Sequence, residues 1–247
     1  MSDLPNYSGL KAVILNCSLK RDATQSHTQL LLNAVTGLMK TAKVEVSTLH
    51  MADYNLPPGV YPDMTDHGYE ADRWPELWKI IKSADILIIG TPIWLGVESS
   101  ICRIAIERLY AMSGKLNEKG QSIFYGKVGG VVVTGNEDGA KHCGMSLLYS
   151  LQHLGYVIPP QADCGWIGEI GPGPSFGDDV DGKPAGYESE FTQRNTTIMT
   201  WNLMHLAHAL NSNGGIPTYG NDRNAWDDGE RFGFKLLARH LDQRTRS

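Results

Sequence analysis

The sequence lacks cysteines at the spacing that zinc ribbons or redox dithiols use. Its four cysteines are Cys17, Cys102, Cys143 and Cys164. They lie far apart in the chain, so we expect reduced, buried thiols rather than a disulfide framework. His205 and His208 lie three residues apart, but no Glu or Cys at a matching spacing joins them. We therefore predict no bound metal.

Long apolar runs and an excess of positive charge are also missing. No run approaches the roughly 20 residues that a membrane-spanning helix needs. Residues 1–10 have neither a basic start nor an apolar stretch, so they do not resemble a secretory signal. With 22 Lys and Arg against 27 Asp and Glu, the net charge of -5 provides no basic field for a nucleic-acid backbone. We expect a cytoplasmic protein that binds neither membranes nor nucleic acid.

What the sequence does contain is a repeated strand-then-helix pattern. Short continuous apolar runs at 10–16, 85–91 and 130–134 are typical of strands covered on both faces. Weaker strands are predicted at 43–49 and within 156–166, where alternation indicates edge positions. Helical patterns separate these runs, and strand-helix repeats predict parallel pairing. The chain is therefore expected to form an α/β fold with a doubly wound, five-stranded parallel sheet.

The 247 residues are enough for one domain with additions, so we predict a single domain over 1–247. Three segments exceed the minimum for such a sheet: an insertion at 51–72, a glycine-rich loop at 165–186 and a C-terminal extension at 215–247. Long loops over a ligand edge are commonly lids or subunit contacts. Helices are predicted at Ala140–Leu154, with Gly155 as the C-terminal cap, at Phe191–Asn211 and at Glu230–Leu241.

A polar loop follows the first strand and leads into a helix. Ser26 and Gln29 have the spacing of a capping box, which places the helix N-terminus at Ser26. Free backbone N–H groups and the helix dipole favour an anion there, and the loop lacks the Gly-Lys-Ser or Gly-Lys-Thr ending of a nucleoside triphosphate site. The predicted phosphate contacts are Ser18, Lys20, Ser26, His27 and Thr28. The alternative is a plain turn in which these hydroxyl groups only cap the backbone.

Two further loops follow buried strands and carry groups suited to a flat ring. At 91–96 the backbone of Gly96 can approach a ring closely, and neighbouring N–H groups can bond a ring nitrogen or carbonyl. At 134–139 amide and hydroxyl groups suit a pyrimidine edge. The predicted ring contacts are Thr91, Pro92, Ile93, Trp94, Leu95, Gly96, Thr134, Gly135, Asn136 and Gly139. The alternatives are that Trp94 fills a core or subunit interface and that Asp138 caps the next helix.

The carboxyl ends of parallel strands meet at one edge of a sheet, so these three loops are expected to converge. One phosphate loop and two ring loops are typical of a flavin mononucleotide (FMN) site. On these residues the sequence resembles the NAD(P)H-dependent FMN reductases of the flavodoxin-like superfamily over about residues 11–166. Ser18 and Lys20 stand where family members have a Ser and a basic residue, and 26–28 stands for their Ser-Asn-Thr. The segment 91–96 resembles their Thr-Pro-Ile-Tyr-Trp-Gly.

The resemblance implies a flavodoxin-like sheet of order 2-1-3-4-5 with helices on both faces. It also implies noncovalent FMN, NADPH or NADH as co-substrate, a small electron acceptor such as a quinone or free flavin, and a homodimer or homotetramer. The sequence departs from the family at Cys17, which takes a place often held by Gly, at His27 and in the aromatic order around Trp94. Related iron–sulfur flavoproteins have a cysteine cluster after strand two, and 51–72 has none, so no cluster is expected.

Two other functions stay open at this point. One is a flavodoxin-like carrier of single electrons, which the modest acidity and the long insertions disfavour. The other is a flavin-free domain of the same fold, such as a hydrolase or a regulatory domain. The sequence contains no convincing Ser/His/Asp or paired-carboxylate arrangement, and we predict no catalytic side chain. This agrees with a reaction in which the cofactor performs the chemistry.

Overall fold

A parallel sheet forms the centre of the computed structural model, which describes residues 4–171 and 173–234. Its strands are β1 (Lys11–Asn16), β2 (Glu45–His50), β3 (Ile86–Trp94), β4 (Val97–Glu98), β5 (Val128–Gly135) and β6 (Asp163–Ile167). The order is β2-β1-β3-β5-β6, and β4 pairs with β3 in the antiparallel direction. Because β5 and β6 are the fourth and fifth parallel strands, the predicted 2-1-3-4-5 winding is confirmed.

Helices cover both faces of the sheet. They are α1 (His27–Thr41), α2 (Trp74–Ser83), α3 (Ser100–Tyr110), α4 (Ala140–Leu154), α5 (Glu190–Ser212) and α6 (Arg223–Asp227). The predicted start of α1 is confirmed, since the Ser26 hydroxyl accepts a hydrogen bond from the Gln29 amide at 3.1 Å. The predicted bounds of α4 are also confirmed, and Gly155 follows at φ +118, a backbone conformation that favours glycine.

Two separate cores lie on opposite faces of the sheet. The α2/α3/α4 core contains buried side chains such as Trp74, Leu109 and Leu147, while the α1/α5 core contains Leu32 and Leu203. The four cysteines are buried and unpaired, as predicted. Cys17, Cys102 and Cys143 lie in the α2/α3/α4 core, and Cys164 lies in the α1/α5 core.

A buried ion pair fastens the 51–72 insertion to α3. The side chains of Asp72 and Arg108 are both 0% exposed, and the guanidinium donates to the carboxylate. Asp72 also accepts from the amides of Met64 at 2.9 Å and Trp74 at 2.8 Å. Burial lowers the pKa of Arg108, and the charge of Asp72 opposes that shift. The carboxylate therefore holds the end of the insertion against the core.

The other two additions have short regular elements. The glycine-rich loop contains the hairpin β7 (Asp179–Val180) and β8 (Lys183–Pro184). Phe176 of this loop is buried, and its ring contacts that of Trp166, with 5.9 Å between the centroids. The described part of the C-terminal extension includes α6, which was not predicted. The predicted helix Glu230–Leu241 lies mostly outside the described residues, and the described stretch 230–233 is not helical.

None of the helices in the described part of the chain combines the length and apolarity needed to cross a bilayer. Within the same residues, no three His, Cys, Asp or Glu side chains are grouped as metal ligands. Nδ1 of His205 instead lies 2.6 Å from the hydroxyl oxygen of Tyr7. His205 therefore forms part of a polar contact between α5 and the N-terminal segment.

Candidate functional site

The three polar loops converge at the carboxyl edge of the sheet. They are called here the phosphate loop (17–26), the hairpin loop (94–97) and the ring loop (134–139). Hydrogen bonds join these regions pairwise, either through the loops themselves or through Thr28 in the first turn of α1 and Ser99, the N-cap of α3. The bonds are Thr28 Oγ1 with Thr134 Oγ1 at 2.7 Å, Ser99 Oγ to Cys17 O at 2.6 Å, and Leu95 N to Glu137 Oε2 at 2.8 Å. The expected meeting of the three loops is therefore present.

The phosphate loop leads to an open helix N-terminus. Ser26 is buried and caps α1, so its hydroxyl is already an acceptor for the Gln29 amide. The amides of His27 and Thr28, at the first two helical positions, have no acceptor within the helix. The hydroxyl of Thr28 contacts Thr134 in the interior. The backbone amides of His27 and Thr28 are therefore available donors at this helix end, and the Ser26 hydroxyl, which only accepts in its cap, still has its own hydrogen to donate.

Lys20 and Ser18 are tied into the phosphate loop itself. The Lys20 ammonium donates to the Gln25 carbonyl at 2.8 Å, and the Ser18 hydroxyl accepts from the Lys20 amide at 3.3 Å. His50, at the end of β2, donates from Nε2 to the Lys20 carbonyl at 2.7 Å, and its buried Nδ1 has no partner in the described residues. Sequence reasoning missed His50, although its place at the end of a predicted strand pointed to this edge.

His27 connects α1 to the glycine-rich loop. Its Nδ1 accepts from the Gly177 amide at 2.9 Å, and its Nε2 lies 3.4 Å from Oδ1 of Asp178. An imidazole nitrogen can accept only when it carries no proton, so this contact requires neutral His27. Burial lowers the pKa of His27, Lys20 lowers it further, and Asp178 opposes the shift.

The unfolding free energy is expected to fall as the pH drops below about 6.5, the ordinary pKa of His. The pKa of His27 is lower in the folded protein than in the unfolded chain. The contribution of His27 to the unfolding free energy is therefore complete above about pH 6.5 and is lost as the pH falls through the folded-state pKa. His27→Gln keeps a side-chain acceptor without titrating. Urea unfolding of both proteins at several pH values measures the difference. A constant difference across that range would contradict the prediction.

The hairpin loop differs from the predicted connection. We expected a loop from Thr91 to Gly96, but β3 continues to Trp94, so Thr91, Pro92 and Ile93 are strand residues. Leu95 at φ +53 and Gly96 at φ +79 form a two-residue turn into β4. The helix then begins as expected near Ser99, which caps α3. Leucine rarely adopts a positive φ, so nothing in the sequence indicated a tight turn at Leu95.

The Trp94 and Leu95 side chains are exposed at 50% and 94%. The turn therefore presents apolar surface at the ligand edge. Trp94 does not fill the core of the described chain, which leaves the alternatives of ring contact or subunit contact.

The ring loop lies directly against the hairpin loop. A Cβ at Gly139 would sit 2.5 Å from the Gly96 carbonyl oxygen, so the two backbones meet with no room for a side chain. Gly139, not Asp138, is the N-cap of α4, and no side chain caps that helix. The proposed capping role of Asp138 is therefore wrong.

Two more predicted ring contacts are tied to the glycine-rich loop. Asn136 donates its side-chain amide to the Gly173 carbonyl at 3.0 Å, and Gly135 accepts from the Gly168 amide at 3.1 Å. Thr134 is buried against Thr28. Glu137, which was absent from the predicted contacts, provides the hydrogen bond to the hairpin loop.

The donor set fits a flavin phosphate. The uncapped amides of α1 with nearby Lys20 suit a phosphate. The glycine backbone at 96 and 139 and the Leu95 amide at the tip of the hairpin turn, which donates to Glu137, suit a flat ring with polar edges. Fold and loops together define a flavodoxin-like α/β protein with a candidate nucleotide site at the carboxyl edge of its sheet.

Residues 10–165 match the model of the NADPH-dependent FMN reductase family. The chain therefore belongs to this family. It is an enzyme of the FMN reductase family, for which FMN is the cofactor and NADPH the co-substrate that the family description names. The resemblance read from the loops is confirmed, as is the cofactor.

Similar proteins extend this comparison beyond the family model. The chain is 53% identical over 206 residues to the divalent metal cation transporter MntH of Mycobacterium bovis, and the match covers 83% of this chain but only 30% of that protein. It is 35% identical over 206 residues to the 8-demethyl-8-aminoriboflavin-5'-phosphate synthase of Streptomyces davaonensis, covering 81% of this chain and 78% of the synthase.

A solved structure is similar over nearly the whole chain. RosB, crystallised with the bound intermediate 8-demethyl-8-formylriboflavin-5'-phosphate, has a TM-score of 0.75 and 30% identity. The match covers 96% of this chain and 88% of RosB. The likeness therefore continues past residue 165, where the family model ends.

Proposed function

We propose that the protein takes a hydride from NADPH or NADH and passes electrons to a small acceptor such as a quinone or free flavin. The observation that carries this proposal is the pairwise joining of the three loops at the open N-terminus of α1. When bound, FMN supplies the hydride and electron chemistry. The side chains then need only bind and orient, and no acid or base is required of them.

Different loops bind the phosphate and the ring of FMN in this proposal. The His27 and Thr28 amides and the Lys20 charge hold the phosphate, and the hairpin loop and ring loop hold the flavin ring. The glycine-rich loop, fastened by His27 and Asn136, restricts water at the same edge. An acceptor that follows NAD(P)H needs an open ring face, and the exposed Trp94 and Leu95 border that space.

Anaerobic addition of NADPH, and separately of NADH, to the FMN-loaded protein tests the proposal. We expect the flavin absorbance to bleach and to return when a water-soluble quinone is added. Protein that binds FMN but is not bleached by either nucleotide would overturn the reductase and favour the one-electron carrier. A folded protein that cannot be loaded with FMN would favour the flavin-free alternative.

A second candidate function is the chemical modification of a bound riboflavin phosphate. Its support is the likeness to RosB over 96% of this chain, together with the 35% identity to the aminoriboflavin phosphate synthase. Mass spectrometry of FMN after aerobic incubation with the protein distinguishes the two functions. Unchanged FMN is expected for the reductase, and a protein-dependent change in the mass of the flavin would favour modification.

We also propose a homo-oligomer, with the apolar surface beside the hairpin loop as the contact between copies. Large apolar side chains of the 51–72 insertion, the hairpin loop, α3 and α4 are exposed by 44% or more. They are Val60, Tyr61, Val97, Tyr110, Met145 and Tyr149. Exposed apolar surface of this extent supports a subunit contact. Light scattering measures the mass, and Tyr149→Glu is expected to lower it while the comparably exposed Phe191→Glu leaves it unchanged.

A further inference from the structure

The carboxylate of Glu137 occupies a backbone donor of the candidate ring site. Its Oε2 accepts from the Leu95 amide at 2.8 Å, across 42 residues of sequence. Leu95 lies at the tip of the hairpin turn, where its side chain is 94% exposed. Each amide has one hydrogen to donate, so an acceptor atom of a ring cannot take the full bond while the carboxylate holds it.

The hairpin loop does not need Glu137 to keep its shape. Strand β4 pairs with β3 through Ile93 with Glu98 and Trp94 with Val97. The backbones at Gly96 and Gly139 also lie in close contact. The turn is therefore fixed on both sides without the side-chain contact. The carboxylate is therefore not needed to hold the backbone of the turn in place.

The charge of Glu137 is not neutralised by the cations on neighbouring elements. Arg103 pairs with Glu98, and Lys141 pairs with Asp163. Among the ion pairs of the described residues, none includes Glu137. A hydrogen bond to a charged acceptor is stronger than one to a neutral carbonyl or ring nitrogen. The carboxylate is therefore a strong competitor for the Leu95 amide.

We propose that Glu137 is an internal competitor of FMN, which holds the Leu95 amide in the flavin-free protein and releases it when the flavin ring binds. Glu137 thereby sets the affinity for FMN, and its negative charge opposes the electron-rich edge of the ring. This inference rests on FMN binding at the three loops, as in the proposed function. Glu137 was not among the ring contacts predicted from the sequence.

Titration of FMN into the flavin-free protein, followed by quenching of FMN fluorescence, gives the Kd that tests this inference. Glu137→Gln keeps an acceptor of the same size but removes the charge. We expect it to bind FMN about 5-fold more tightly, equivalent to about 1 kcal/mol. The control is Glu118→Gln, which is the same substitution at an exposed carboxylate outside the three loops, and we expect its Kd to stay within about 2-fold of the wild type.

Hydrogen exchange of the Leu95 amide provides a second measurement that is independent of activity. In the flavin-free protein this amide is expected to exchange faster in Glu137→Gln than in the wild type. FMN affinity that is unchanged or weaker in Glu137→Gln would overturn the inference, and so would an equal gain in affinity in Glu118→Gln. A wild-type protein that does not bind FMN would instead overturn the proposed function.

Discussion

Asp72→Asn is expected to lower the free energy of unfolding by about 3–5 kcal/mol, because it leaves the Arg108 guanidinium charged and buried without its counter-ion. Both side chains are 0% exposed, so water cannot replace the lost carboxylate. The total free energy of unfolding of an ordinary domain is about 5–15 kcal/mol, so the variant is expected to lose a large share of its stability. Urea unfolding followed by circular dichroism measures the loss.

An exposed ion pair provides the control for Asp72→Asn. Arg73 and Glu76 lie 2.7 Å apart, with 57% and 60% of their side chains exposed. Glu76→Gln is therefore expected to cost less than about 1 kcal/mol. Adding Arg108→Met to Asp72→Asn removes the stranded charge and should recover part of the loss. If Asp72→Asn and Glu76→Gln lowered the free energy of unfolding by equally small amounts, the buried pair would contribute no more to stability than the exposed one.

Gly139→Ala is expected to weaken FMN binding at least about 10-fold, or about 1.4 kcal/mol, and to destabilise the fold by about 1–3 kcal/mol. The residue has φ +116, and its added Cβ would lie 2.5 Å from the Gly96 carbonyl oxygen. Backbone atoms cannot rotate away as a flexible side chain can, so the ring loop and the hairpin loop must separate. Fluorescence titration with FMN and urea unfolding measure the two effects.

Gly37→Ala is the matched control for this glycine. Gly37 lies in the interior of α1, and a Cβ there meets nothing within 4 Å. Because glycine is a poor helix residue, the variant should be more stable by about 0.5–1 kcal/mol, with unchanged FMN affinity. If Gly139→Ala behaved like Gly37→Ala, the close approach of the two loops would have no role in the site.

Much of the fold could be predicted because its signals are local. The continuous apolar runs of β1, β3 and β5 belong to strands buried between two helical layers, and Ser26 and Gly155 mark helix ends by their own chemistry. These features depend on neighbours within a few residues. The strand order 2-1-3-4-5 was not read from them but was implied by the resemblance to the FMN reductases.

The contacts inside the site are not local, and this limited the prediction. Thr28 meets Thr134 across 106 residues, and His27 meets Gly177 across 150. Such pairings depend on how the loops pack after the sheet has formed. The hairpin turn was missed for a different reason, since Leu95 adopts a positive φ that its residue type disfavours. Glu137 was missed because its hydrogen bond to the Leu95 amide forms only when the chain makes this turn.

The distribution of the four thiols makes the two sides of the sheet separately observable. A thiol reagent reacts with a buried cysteine only after the surrounding structure opens. Modification of Cys164 would report opening between the sheet and α1 or α5, while Cys17, Cys102 and Cys143 would report the opposite side. The relative labelling rates of these groups would therefore give the order in which the two layers detach.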